Sequence, residues 1–222
     1  FVLTFHKSDM KTMHNKDSSR KYDKAISQAS LVVFRSIPIQ RKFFSYKPNF
    51  SGNVFVANSG IEPEIIEEKL FFDRKLKAWN CDSATKIVTA ASLKPLKCID
   101  INLIALSKIK DVNWDYTIIG DGPEKSRLLA LSDSLGISTR VHFVGQKARG
   151  EVLSVMRSSH IFLMVSYNET FGLTYLEAMA KDCIVIGAKD WGIDGIIVDG
   201  ENGFLCNSGD VDELERTLRC VF

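Results

Sequence analysis

The chain has 222 residues, of which 45% are hydrophobic and 25% charged, with a net charge of +2. This is the composition of an ordinary folded protein, and it excludes intrinsic disorder as the main state. No apolar run reaches the roughly 18 residues that a membrane-spanning helix needs, and the net charge is too small to argue for a nucleic-acid partner.

The charge is unevenly spread. Residues 1–50 hold ten Lys or Arg against three Asp, a balance of +7, which leaves −5 for the remainder. Such a segment fits a face that meets anionic lipid or a phosphorylated substrate, and equally a solvated surface. The start carries no signal-peptide pattern. The chain opens on Phe1 and closes on Phe222 inside a helical pattern, so a fragment cut at both ends is expected. The five cysteines, Cys81, Cys98, Cys183, Cys206 and Cys220, include no Cys-x-x-Cys pair. Reduced thiols in the cytosol are therefore expected, with no zinc site.

In chain order, strands are predicted at Phe1–Phe5, Leu31–Arg35, Val54–Ala57, Lys86–Ala90, Tyr116–Gly120, Val141–Val144, Ile161–Val165 and Ile184–Gly187. Helices are predicted at Arg20–Gln28, Ile37–Phe44, Ile99–Ile109, Glu124–Leu135, Ala148–Arg157, Leu173–Lys181 and Val211–Val221. Strands alternating with helices imply βαβ units around a parallel sheet. Continuous apolar strands such as Ile184-Val185-Ile186 suit burial on both faces. Residues 61–85 break the rhythm with mixed charges and Asn80-Cys81-Asp82-Ser83. They are expected to link two units, with a short helix at Pro63–Leu70. The expected division is 1–60 as the end of one doubly wound domain, 61–82 as linker, and 83–222 as most of a second.

The segment Ser166–Gly187 carries the chemistry. An apolar strand runs into Ser166-Tyr167-Asn168-Glu169-Thr170-Phe171-Gly172, and a helix follows. Gly172 permits close backbone approach. The free amides of Phe171, Gly172 and Leu173 lie at the helix start, where the dipole favours an anion such as phosphate. Glu169 precedes the helix and Glu177 lies on it, so two carboxylates can flank one ligand and accept hydrogen bonds from ribose and sugar hydroxyls. The same two residues could instead serve the helix terminus and a solvated helix face.

The string Glu-Thr-Phe-Gly-Leu-x-x-x-Glu-Ala-Met-Ala, with Glu169 and Glu177 as its acids, resembles the signature of the family 4, or group 1, retaining glycosyltransferases. The resemblance continues through Ile118–Glu124, Val141–Gly145 and Asp199–Leu205, and so covers residues 83–222 almost continuously. It implies the GT-B fold, an α/β architecture of two Rossmann-like doubly wound parallel-sheet domains, here with the N-terminal one truncated. More weakly, Val54–Ile61 is similar to the turn that closes the family's N-terminal lobe, and Thr4–Asp9 to its active-site histidine loop.

The resemblance implies transfer of a sugar, with retention, from a nucleotide-diphosphate sugar to a glycan or lipid-linked acceptor. It implies no metal and no cofactor beyond that donor substrate. The implied catalytic residues are His6, Lys97 and Glu169. The implied donor-binding residues are Ser92, Lys97, Gly120, Val144, Glu169, Thr170, Phe171, Gly172, Leu173 and Glu177. Glu177 would bind the ribose, Glu169 the transferred sugar, the amides of Phe171–Leu173 the β-phosphate, and Lys97 the diphosphate whose leaving develops negative charge. A cytoplasmic enzyme with peripheral contact at the inner membrane face, through its basic N-terminal segment, is expected, with no nucleic-acid partner.

The chain departs from the family pattern at three places. Ser92 stands where an Arg is usual, with Lys94 as the nearest cation, and a point charge does not reproduce a guanidinium fork. Cys98 stands where a Gly usually follows the lysine. Trp191-Gly192-Ile193-Asp194-Gly195 stands for Gly-Gly-x-Pro-Glu, so Gly195 replaces a Glu. A non-catalytic nucleotide-sugar-binding module and a nucleotide-sugar epimerase on the same fold stay open as alternatives. Asp210-Val211-Asp212 matches a metal-binding string of other transferases, yet after Gly209 it reads as a helix N-cap with acid in the first turn.

Overall fold

The computed structural model describes residues 1–6, 9, 16–68, 73, 75, 79 and 83–222, the side chains of 16–21 excepted. Cys81 and the end of the predicted Pro63–Leu70 helix lie outside the described residues.

Two parallel sheets organise the chain. In the first, β1 (Val2–Phe5), β2 (Leu31–Phe34) and β3 (Val54–Val56) lie side by side in that order. Helices α1 (Lys16–Gln28) and α2 (Ile37–Tyr46) make the crossovers. Phe5, Phe34 and Phe43 meet at ring distances of 5.0–5.9 Å and form its core. Ile26, Val32 and Ile39 complete the buried cluster around these rings.

The second sheet has six strands in the order β6-β5-β4-β7-β8-β9. They are β4 (Thr85–Ala90), β5 (Trp114–Ile119), β6 (Val141–Gly145), β7 (Ile161–Leu163), β8 (Ile184–Ala188) and β9 (Phe204–Cys206). The helices are α3 (Ile99–Lys108), α4 (Lys125–Ser134), α5 (Arg149–Ser158), α6 (Leu173–Ala180) and α7 (Val211–Val221). Adjacent residues of one strand serve opposite layers. Ile87 packs with Leu103, Leu106, Leu214 and Leu218, while Val88 packs with Tyr175, Ala178 and Met156. Helices on both faces explain why these strands read as unbroken apolar runs. The order reverses at β4, where one branch runs to β5 and the other to β7. Open α/β sheets bind ligands at the carboxyl ends of strands beside such a point.

Two expectations need correction. The helix predicted over Pro63–Leu70 is a single 3₁₀ turn at Pro63–Ile65. Ile66 leaves it in an extended conformation, and the Glu67 amide donates to the Ala180 carbonyl at the end of α6. The segment is drawn out as a strap because its hydrogen-bond partners lie on the second sheet's layer. The sequence reading also missed β9, whose three residues follow a turn at Asp199–Gly203. The other boundaries shift by a few residues, as where α1 begins four residues earlier than expected.

Candidate active site

The chain leaves β7 through Met164, Val165 and Ser166, all buried. It then turns at Asn168, whose φ of 61° is left-handed. Gly172, at φ 81°, caps α6. A Cβ there would lie 2.5 Å from the Tyr175 ring, so local packing demands glycine whatever is bound. Among the described residues no acceptor takes the amides of Phe171, Gly172 or Leu173. This helix start is a place for an anion.

Lys97 and Glu169, 72 residues apart in sequence, meet here. The Lys97 ammonium donates to Glu169 Oε2 at 2.5 Å, and the two side chains are only 15% and 18% exposed. Glu169 Oε1 accepts from the Thr170 amide at 3.1 Å. Lys97 ends a 3₁₀ turn (Pro95–Lys97) after β4, and Cys98 follows in a left-handed conformation at φ 51°. That backbone explains why glycine is the usual residue at this position. Asn102 on α3 fixes the same corner by donating to the buried Tyr116 hydroxyl at 2.9 Å.

Glu177 is 12% exposed and accepts from Arg149 Nε at 2.9 Å. Arg149 turns its other two nitrogens to both oxygens of Glu62 on the strap. Those hydrogen bonds hold the Glu62 carboxyl down at about 2. The sequence reading missed Arg149. The available signal was a cation in the first turn of a helix, next to Lys147, just past a strand end that the motif Val141–Gly145 had already marked.

A cleft of about 540 Å³ gathers Ser92, Gly120, Lys147, Arg149, Leu173 and Glu177 at the carboxyl ends of β4 and β5. Lys97, Glu169, Thr170, Phe171 and Gly172 do not line it: the last four sit in the loop that leads to Leu173, which does, and Lys97 reaches that loop from the turn after β4. Gly120 packs where a Cβ would fall 1.9 Å from the Ala91 carbonyl oxygen, so the loops after β4 and β5 close on each other. Val144 stands apart on edge strand β6, 39% exposed and outside the cleft lining. His6 follows β1 directly and is exposed, and its amide donates to Asp9 Oδ2 at 2.7 Å.

The loop after β8 meets α2 of the first sheet. Arg41 lies 3.7 Å from Asp194, and Lys42 sits over the Trp191 ring at 5.1 Å. Gly195 has φ 93°, and a Cβ there would touch Ile37 at 2.8 Å. The glutamate of the family pattern would not fit against Ile37 as it stands. At the far end, Asp210 caps α7, its side chain accepting from the Glu213 amide at 2.9 Å. The Asp-x-Asp string therefore belongs to a helix start.

The family profile described as "Glycosyl transferases group 1" matches residues 73–221. An N-acetyl-alpha-D-glucosaminyl L-malate synthase of Bacillus anthracis is 32% identical over 151 residues, which are 65% of this chain and 39% of that protein. A D-inositol 3-phosphate glycosyltransferase of Mycobacterium sp. (strain KMS) is 34% identical over 140 residues, 60% of this chain and 31% of that protein. The chain thus spans well under half the length of these relatives. Among solved structures, Anabaena HepE in complex with UDP and glucose superposes with a TM-score of 0.73 at 22% identity, covering 99% of this chain and 61% of that one. At that identity the likeness speaks for the fold, the GT-B arrangement expected from the sequence.

Proposed function

The chain belongs to the group 1 glycosyl transferases, and from that premise we propose that it forms part of a retaining, metal-independent transferase. The enzyme takes a nucleotide-diphosphate sugar on the lobe of residues 83–222. It moves the sugar to a glycan or lipid-linked acceptor on the lobe that ends at residue 60, with 61–82 between them. One observation carries the reading: Lys97 and Glu169 are paired beside the amides at the start of α6 that have no acceptor among the described residues, and Glu177 lies about one turn along the same helix facing a cleft. When the bond from the anomeric carbon to the diphosphate breaks, charge builds on the diphosphate oxygens. An ammonium and helix amides already in place stabilise that charge without reorganising. Glu169 then serves two partners, orienting Lys97 and accepting from sugar hydroxyls. Glu177 Oε1 is held by Arg149, which leaves Oε2 for the ribose.

HepE was solved with UDP and glucose, so UDP-sugars are the first donors to try. The two curated relatives carry L-malate and inositol 3-phosphate in their names. Both are anions, which fits a basic acceptor lobe. We place the enzyme in the cytoplasm, with salt-sensitive contact to anionic membrane through residues 1–50. Among the described residues no helix is long and apolar enough to cross a membrane.

The test is to incubate the full-length protein with UDP-, GDP- and ADP-sugars and follow slow donor hydrolysis, then to titrate the favoured nucleotide diphosphate calorimetrically. Glu177→Ala should lose charged hydrogen bonds of roughly 1.5–3 kcal/mol, on the order of 10–100-fold in affinity. Unchanged affinity in a folded variant, or no hydrolysis of any donor, would refute the assignment.

A further inference from the structure

The first sheet ends in a cluster that the donor chemistry does not use. Register pairs Phe5 with Phe34 and Phe34 with Val56. One step further along these parallel strands brings His6, Arg35 and Ala57 level at the carboxyl edge. Arg35 is half-buried, and it donates to the Ser59 hydroxyl just past β3. Among the described residues it forms no ion pair with a carboxylate. A half-buried guanidinium without an acid partner is unusual, since desolvation of the cation goes uncompensated.

Ser36 follows and caps α2, a helix of ten residues. It is 1% exposed, makes no capping hydrogen bond, and its hydroxyl has no partner. Pro38 removes one first-turn donor, and the amides of Ile37 and Ile39 have no acceptor among the described residues. The exposed imidazole of His6 borders the same edge. The place thus combines a cation, the positive end of a helix and an orphan hydroxyl, and the acid that borders it among the described residues, Asp9, already accepts from the His6 amide and the Tyr22 hydroxyl.

We propose that this edge is an oxyanion site, in which Arg35 and the start of α2 hold a phosphate or carboxylate of the acceptor beside His6. The proposal rests on the reading of this lobe as the acceptor side. It makes a free hydroxyl near an anionic group the substrate class.

Inorganic phosphate titrated into the full-length protein at low salt tests it, with wild type, Arg35→Gln, Arg35→Lys and Ser36→Ala compared. Any phosphate taken up at Lys97 and α6 is common to all four, so differences report the Arg35 edge. Arg35→Gln should weaken phosphate binding by about 10–100-fold. Arg35→Lys should lose less, because it keeps the charge but not the fork, and it covers the case in which Arg35→Gln fails to fold. Two parallel arms separate the sources of the anion. Malonate reads a soluble carboxylate, and vesicles of phosphatidylglycerol against phosphatidylcholine read a lipid headgroup. Arg35 dependence in any arm supports the site, and independence in all of them overturns it. Nucleotide diphosphate binding, measured on the same variants, should be untouched. Its failure in the wild type would sink the proposed function while leaving this result legible.

Discussion

Cys98 sits in a conformation that costs a residue with a Cβ roughly 1–2 kcal/mol, and its thiol packs against the core of the second sheet. Cys98→Gly removes the strain but adds chain freedom worth about 0.5–1 kcal/mol and gives up the thiol's burial. It should therefore be nearly neutral. Cys98→Val should cost about 1–2 kcal/mol, because a β-branched side chain is worse still in that region. Urea midpoints of the two variants decide, and equal midpoints would mean that the left-handed turn imposes no strain. The family motif singled out Lys97 and Glu169, yet their contact was not legible. It depends on how the loops after β4 and β7 are brought together, and no local spacing encodes that. The same holds for Arg149, whose partners Glu62 and Glu177 lie 87 and 28 residues away.

Among the elements, the strands at the centre of the second sheet were legible because both faces are buried and the apolar runs are continuous. β9 escaped because three residues after a glycine turn give no periodicity to read. The strap after Pro63 escaped because its conformation is set by partners on α6 and not by its own side chains. The loop after β8 and helix α2 form a second contact of this kind. Restoring the family residue with Gly195→Glu forces a side chain onto Ile37 at a positive φ. It should cost about 1–3 kcal/mol. Ile37→Ala in the same chain should recover part of that loss by making room, with the backbone strain remaining. Melting temperatures of the single and double variants measure both terms. A Gly195→Glu protein as stable as wild type would show that the two layers part easily there.

Over the whole molecule, acid should act through His160, which stacks on Trp79 at 4.7 Å and accepts the Lys86 amide on Nδ1 at 3.0 Å. That bond needs the neutral ring. Desolvation, aided by the charges of Lys75 and Lys86, lowers its pKa to about 4 from the usual 6.5. Between these values the unfolded chain binds a proton that the folded chain refuses, so stability should fall as pH drops from about 6.5 towards 4. His160→Gln should flatten that part of the profile in denaturant titrations, and an unchanged slope would acquit the ring. The branching of the sheet at β4 has a different consequence, one of time. Ile87 pairs with Tyr116, 29 residues on, and with Ile161, 74 residues on. Closing the longer loop costs about 0.8 kcal/mol more in chain entropy, so the β4–β5 ladder can form while β7 is still searching. Refolding is therefore a race at one strand: until β7 arrives, the open edge of β4 is free to pair with the wrong neighbour, including the same strand of another copy. Yield on dilution from denaturant should drop steeply with protein concentration, and a refolding yield independent of concentration would show that this edge is covered early.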